Sequence, residues 1–90
     1  MNNLTLVIPA KKEKDSLPQV LEELIKYEFK KIVVVDKSDI ETIESIKKFE
    51  CEIIFQDDEG YGDALIKGIN NVKTEYFVIF NADGSFNPNE

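Results

Sequence analysis

Ninety residues make one domain, and a chain this short buries only about 60–65% of its unfolded surface, so its stability margin is thin. Eighteen acidic against eleven basic residues give a net charge of −7 at neutral pH, which argues against a nucleic-acid partner. Histidine, arginine and tryptophan are absent, which excludes histidine bases, His-Cys zinc sites and bidentate arginine clamps on phosphate, and leaves a hard, oxygen-ligated ion as the metal type to expect.

The amino-terminal segment MNNLTLVIPA has about five consecutive apolar residues and no basic lead, far short of a signal peptide or membrane span. It reads as the first strand of a cytoplasmic protein, over residues 4–8. Leu17, Val20, Leu21, Leu24 and Ile25 then fall on one helical stripe, with Ser16 and Gln19 spaced as a capping box. A second strand over residues 32–35 leads to Asp36. Behind it Ile40, Ile43, Ile46 and Phe49 recur at every third position, with Ser38 and Glu41 as a second capping box.

Cys51 stands at the start of a third strand, over residues 52–55. A single cysteine forms no internal disulfide, and its place favours a buried structural thiol in a reducing compartment. Asp57, Asp58 and Glu59 read as a solvated loop, since three consecutive acids cannot all face one ion. The stretch from Gly60 to Gly62 is too short and too lysine-poor for a phosphate-cradling loop. Tyr61, Ala64, Leu65, Gly68, Ile69 and Val72 fit a third helix, in which Gly68 lowers propensity but lets the helix lie close on a sheet. The fourth strand, over residues 76–80, is an apolar run that stops shortly before Asp83, Gly84 and Ser85.

The strands are β-branched, aromatic or leucine-rich without clear alternation, as expected of parallel strands covered on both faces. Right-handed crossovers then give an α/β, three-layer, Rossmann-like fold with a parallel four-stranded sheet of order 3-2-1-4. Its switch point lies between strands one and four. Ligands bind there, outside the carboxyl ends of the strands, where the loop over residues 9–15 meets the turn over 81–85 and Asp36 faces the same crevice. Each acid alone reads as a solvated turn residue; the convergence of Glu13, Asp36 and Asp83 is what points to function.

VIPAKKEKDSLPQVLEEL resembles the opening of family-2 inverting glycosyltransferases of the GT-A fold, IVVVDKSD their next motif, and NADGS their DxD motif. QDDEGYGDALIKGI is similar to the glycine-rich helix start of the branch containing dolichol-phosphate mannose synthase and other polyprenyl-phosphate hexose transferases. The resemblance runs from Leu4 to about Pro88 and covers the nucleotide-binding half of that family. It implies that Pro9, Ala10 and Glu13 line the nucleoside of a nucleotide-sugar, that Asp36 reads the base, and that Asp63 flanks the donor. It also implies that Asp83 holds Mg²⁺ or Mn²⁺ on the diphosphate, where a cation neutralises the charge of the departing group. Asp63 has a plainer reading as a complement to the helix dipole.

The departures from the pattern are Lys11-Lys12 for Tyr-Asn in the first motif, Lys37 for the second aspartate of the second, and Asn81 for the first aspartate of the DxD. Lysines beside Asp36 and Asp83 would satisfy those acids by internal salt bridges in place of a metal. In the family the catalytic base and the acceptor-binding segments lie beyond the position of Glu90. Two expectations follow: a domain that binds a nucleotide-sugar through a metal for hexosyl transfer, or a truncated, catalytically inactive relative that serves as a binding or assembly module. The apolar edge over residues 76–80, uninterrupted by charge after Glu75, leads to the further expectation of a homo-oligomer that pairs there or packs Phe77, Phe80 and Phe86.

Overall fold

The computed structural model describes residues 3–56 and 61–82. In chain order these form β1 (Leu4–Pro9), α1 (Ser16–Leu24), β2 (Lys30–Asp36), α2 (Ile40–Ser45), β3 (Glu52–Gln56), α3 (Tyr61–Asn70) and β4 (Tyr76–Ile79). All strand pairs are parallel and the sheet order is β3-β2-β1-β4, as the crossover rule predicts. Val7 pairs with Ile32 on one side and Ile79 on the other, so β1 lies in the interior of the sheet.

Alternation along the strands divides the core in two. Leu6, Ile8, Val33 and Val35 pack with Leu17 and Leu21 of α1 and with Ile46 just after α2. Ile32 and Val34 point the other way, against Ala64 of α3. Helices therefore cover both faces and the architecture is three-layered. Each fully buried aliphatic side chain contributes roughly 1.5–3 kcal/mol, so the two central strands carry most of the favourable burial. On the α3 side, a Cβ built on Gly68 would overlap Cγ1 of Val7 and stand 3.1 Å from Cγ2 of Val34. Gly68 is thus the closest-packed point of helix on sheet. No helix among the described residues is long and apolar enough to cross a membrane.

Three local expectations are corrected. First, the edge strands are covered less than the central pair: Ile53 and Ile54 are half-buried, Phe55 is exposed, and Tyr76 and Phe77 of β4 keep 61% and 42% of their surface. Second, Ile25 and Ile40 are exposed and drop out of their stripes, while Thr42, which lies off the expected stripe of Ile40, Ile43, Ile46 and Phe49, is buried. The second helix is shorter than the first, as expected, and beyond Ser45 the chain continues in tight turns, with Phe49 N–H donating to the Ile46 carbonyl at 3.0 Å.

Third, neither capping box forms. The N-caps are Asp15 and Asp39, without a side-chain cap bond in either case. At Ser16 the reason lies two residues on: Pro18 has no N–H, which removes one of the two donors an N-cap side chain addresses. The Ser16 hydroxyl instead sits buried without a hydrogen-bond partner. Ser16→Ala should therefore leave stability unchanged or raise it by about 1 kcal/mol, where loss of a real cap would lower it by a similar amount. Urea unfolding of the two proteins decides between these signs.

Candidate functional site

The carboxyl ends of β1 and β2 meet because the two strands pair as far as Pro9 against Val34, and Ala10 N–H continues the ladder to the Val34 carbonyl at 2.9 Å. Pro9 and Ala10 are both buried at this rim. The chain then turns through Lys12, which adopts φ 55°, in the left-handed region that side chains other than glycine, asparagine and aspartate rarely enter. Three contacts hold the turn. Lys12 N–H donates to Oδ2 of Asp39 at 2.7 Å, Glu13 N–H donates to Oγ1 of Thr42 at 3.0 Å, and Lys14 Nζ lies 3.4 Å from Oε2 of Glu41. The loop between β1 and α1 is thereby fastened to the start of α2.

These contacts explain residues that the sequence patterns misassigned. Asp39 serves a backbone N–H of the other loop rather than its own helix. Thr42 is fully buried so that its hydroxyl can accept from Glu13, and Ser38 turns back to the end of β2. A polar, β-branched residue directly beside the apolar stripe was the available signal for Thr42. No signal of comparable strength marked Asp39.

Asp36, the last residue of β2, is half-exposed. Its Oδ1 accepts from Ser38 twice, from the hydroxyl at 2.7 Å and from the backbone N–H at 2.8 Å. The Ser38 hydroxyl and then its N–H hold the Asp36 carboxyl below the ordinary aspartate value; partial burial opposes them, and the nearby charges of Lys37 and Lys11 act in the same direction as Ser38. The result is an ionised acceptor at neutral pH, fixed in orientation at the strand end.

The expected replacement of a metal by internal salt bridges is corrected at this position. Lys14 pairs with Glu41 and Lys47 with Glu44, and the bonded partner of Asp36 is serine. Lys11 and Lys37 act on it through their charge alone. The physical reason is proximity along the chain: a residue two positions on can turn both its N–H and its hydroxyl onto the carboxylate, at less conformational cost than ordering a long lysine side chain.

The structure brings Pro9, Ala10, Glu13 and Asp36 to one rim. Asp63 lies in the first turn of α3, at the same carboxyl end but on the opposite face of the sheet from α1 and α2. Its Oδ2 is buried and has no hydrogen-bond partner. A carboxylate oxygen in that state is an acceptor awaiting a donor or cation. β4 reaches the rim as well, where Phe80 N–H donates to the Val7 carbonyl at 2.9 Å and Ala82 is buried in the core. Asp83 lies outside the described residues, as do Asp57, Asp58 and Glu59. Among the described residues, no group of three or more cysteine or acidic side chains is placed to hold a metal ion.

A cleft of about 550 Å³ opens at the other end of the sheet, lined in part by Tyr27, Phe29, Lys31, Cys51 and Lys73. It offers little chemistry. Lys31 Nζ is engaged by the carbonyls of Tyr27 and Phe29, both at 3.1 Å, and burial pushes the Cys51 thiol up, away from its nucleophilic form. The thiol is half-buried, where a fully buried one was expected. The strand-end rim carries the ionised, oriented acceptor and the orphaned carboxylate oxygen, and is the better candidate.

Comparison with known families gives a match to the model for glycosyl transferase family 2 over residues 5–90. No curated protein matches the chain.

Proposed function

The chain belongs to glycosyl transferase family 2, and from that premise we propose that it binds the nucleoside diphosphate of a sugar donor at the carboxyl ends of β1, β2 and β4. The observation that supports this most is Asp36: a carboxylate kept ionised and aimed by Ser38, beside a loop that is fastened rather than free. In this reading Asp36 accepts from the base, Pro9 and Ala10 form the floor under the nucleoside, and Glu13 borders it. Asp63 receives a donor group on its orphaned oxygen. Residues 1–90 form one donor-binding domain in a cytoplasmic setting, and the acceptor contacts and catalytic base are not assigned to it.

Mg²⁺ or Mn²⁺ would be held by Asp83 together with donor phosphate oxygens, the ligand set that such hard cations take. Such a cation would neutralise charge on the diphosphate. The glycine-rich start of α3 favours an analogy to the polyprenyl-phosphate hexose transferase branch, with hexosyl transfer as the reaction. Calorimetric titration with UDP-, GDP- and dTDP-sugars, with and without Mn²⁺, tests the proposal. Metal-dependent affinity that disappears in Asp83→Ala supports it. Silence across all donors leaves the second reading, an inactive relative serving as a binding or assembly module, which the substitutions Lys37 and Asn81 favour.

The same proposal includes self-association. β4 is an edge strand in the described sheet, and the two residues of highest exposure on it are aromatic. An unpaired apolar edge is a template for a second strand, and two-fold pairing there closes the assembly. Light scattering at tens of micromolar should give a mass above the monomer's 10.3 kDa, and Phe77→Lys should return it to that value. A wild-type chain that is monomeric throughout would rule this out.

A further inference from the structure

Ser38 occupies both acceptor positions of one Asp36 oxygen. Its N–H and its hydroxyl both donate to Oδ1, at 2.8 and 2.7 Å. A carboxylate oxygen has two lone-pair sites, so a ligand donor is left with Oδ2. This limits which base edges fit. Guanine presents a ring N–H and an amino group side by side, and pairs well with a carboxylate only when both oxygens are open. Adenine and cytosine offer Oδ2 only their exocyclic amino group, and that contact sets the neighbouring ring nitrogen's lone pair against the carboxylate. Uracil and thymine present a single ring N–H between two carbonyl oxygens. Lys11 and Lys37, both exposed and both close enough for their charges to act on Asp36, are the donors that such carbonyls call for.

Resting on the donor-binding reading above, we infer that Ser38 is a specificity-determining residue that tunes this site to a uracil-type base and against guanine. The residue acts through Asp36 and does not itself need to touch the base. Its effect is a ratio between ligands, which a purely structural role would not move.

The test is calorimetry on the 90-residue chain in Mn²⁺ with UDP, dTDP, CDP and GDP, repeated on Ser38→Ala. UDP and dTDP should bind about tenfold more tightly than GDP or CDP, the scale of one lost hydrogen bond. Ser38→Ala frees one lone pair on Oδ1, and the UDP-to-GDP ratio should narrow to about threefold while thermal unfolding followed by circular dichroism stays intact. GDP binding as tightly as UDP, or an unchanged ratio in the variant, overturns the inference while leaving donor binding in place. Failure of all four nucleotides to bind overturns the donor-binding reading itself, and the inference with it.

Discussion

Gly68→Val should cost about 3 kcal/mol or more, a large share of the roughly 5–15 kcal/mol available to a domain of this kind. Gly68→Ala should cost about 1–2 kcal/mol and lower Tm by several degrees. The alanine variant is the sharper case because two effects oppose each other. Glycine is about 1 kcal/mol worse than alanine inside a helix, so propensity alone predicts a gain. Against this, the added Cβ overlaps Val7 Cγ1 and crowds Val34 Cγ2, and both valines are fully buried on the two central strands. Neither can move without disturbing the sheet, so packing wins. Gly62, one residue into the same helix, supplies the control: a Cβ there meets nothing within 4 Å. Gly62→Ala should leave stability unchanged or raise it by up to about 1 kcal/mol. Denaturant unfolding of the three variants reads both signs, and a stabilised Gly68→Ala would refute the close-packing explanation.

Gly68 was legible in the sequence because its meaning is carried by a period: a glycine on the apolar stripe of a helix that follows a buried strand. The same holds for the strands and their order. Apolar runs such as IVVV and the lengths between them admit few topologies, and right-handed crossovers select among these. What the sequence did not disclose are choices between neighbours a few residues apart. Ser16 and Ser38 each stood in a capping pattern, yet Pro18 removes a donor from the first, and the Asp36 carboxylate attracts the second. Local side chain-to-backbone bonds of this kind cost little to form and compete with capping on nearly equal terms, so pattern alone does not rank them. The site shows the same division. The strand ends placed Pro9, Ala10 and Asp36 at one rim. The fastening of the first loop by Asp39 and Thr42 depends on side chains about thirty positions away meeting one backbone turn, and no periodicity encodes that.

Asp36→Asn should reduce UDP affinity by roughly 10- to 150-fold, the value of a hydrogen bond to a charged group. It should also raise CDP to a level at or above UDP. This exchange follows from the orientation that Ser38 imposes on the side chain. Two donors converge on Oδ1, so an asparagine in this place must keep its carbonyl oxygen there and turn its amide nitrogen to the position of Oδ2. The amide would then point N–H toward the ring N–H of uracil, donor against donor. Cytosine has an unprotonated ring nitrogen at that point and turns the clash into a hydrogen bond. Loss of UDP binding alone would be expected of any damage to the site, whereas an exchange of preference requires that this side chain faces the base in this orientation. Competition calorimetry with UDP and CDP on the wild type and on Asp36→Asn measures it directly. A variant that weakens both nucleotides equally would place Asp36 away from the base edge and leave it a purely structural part in the turn.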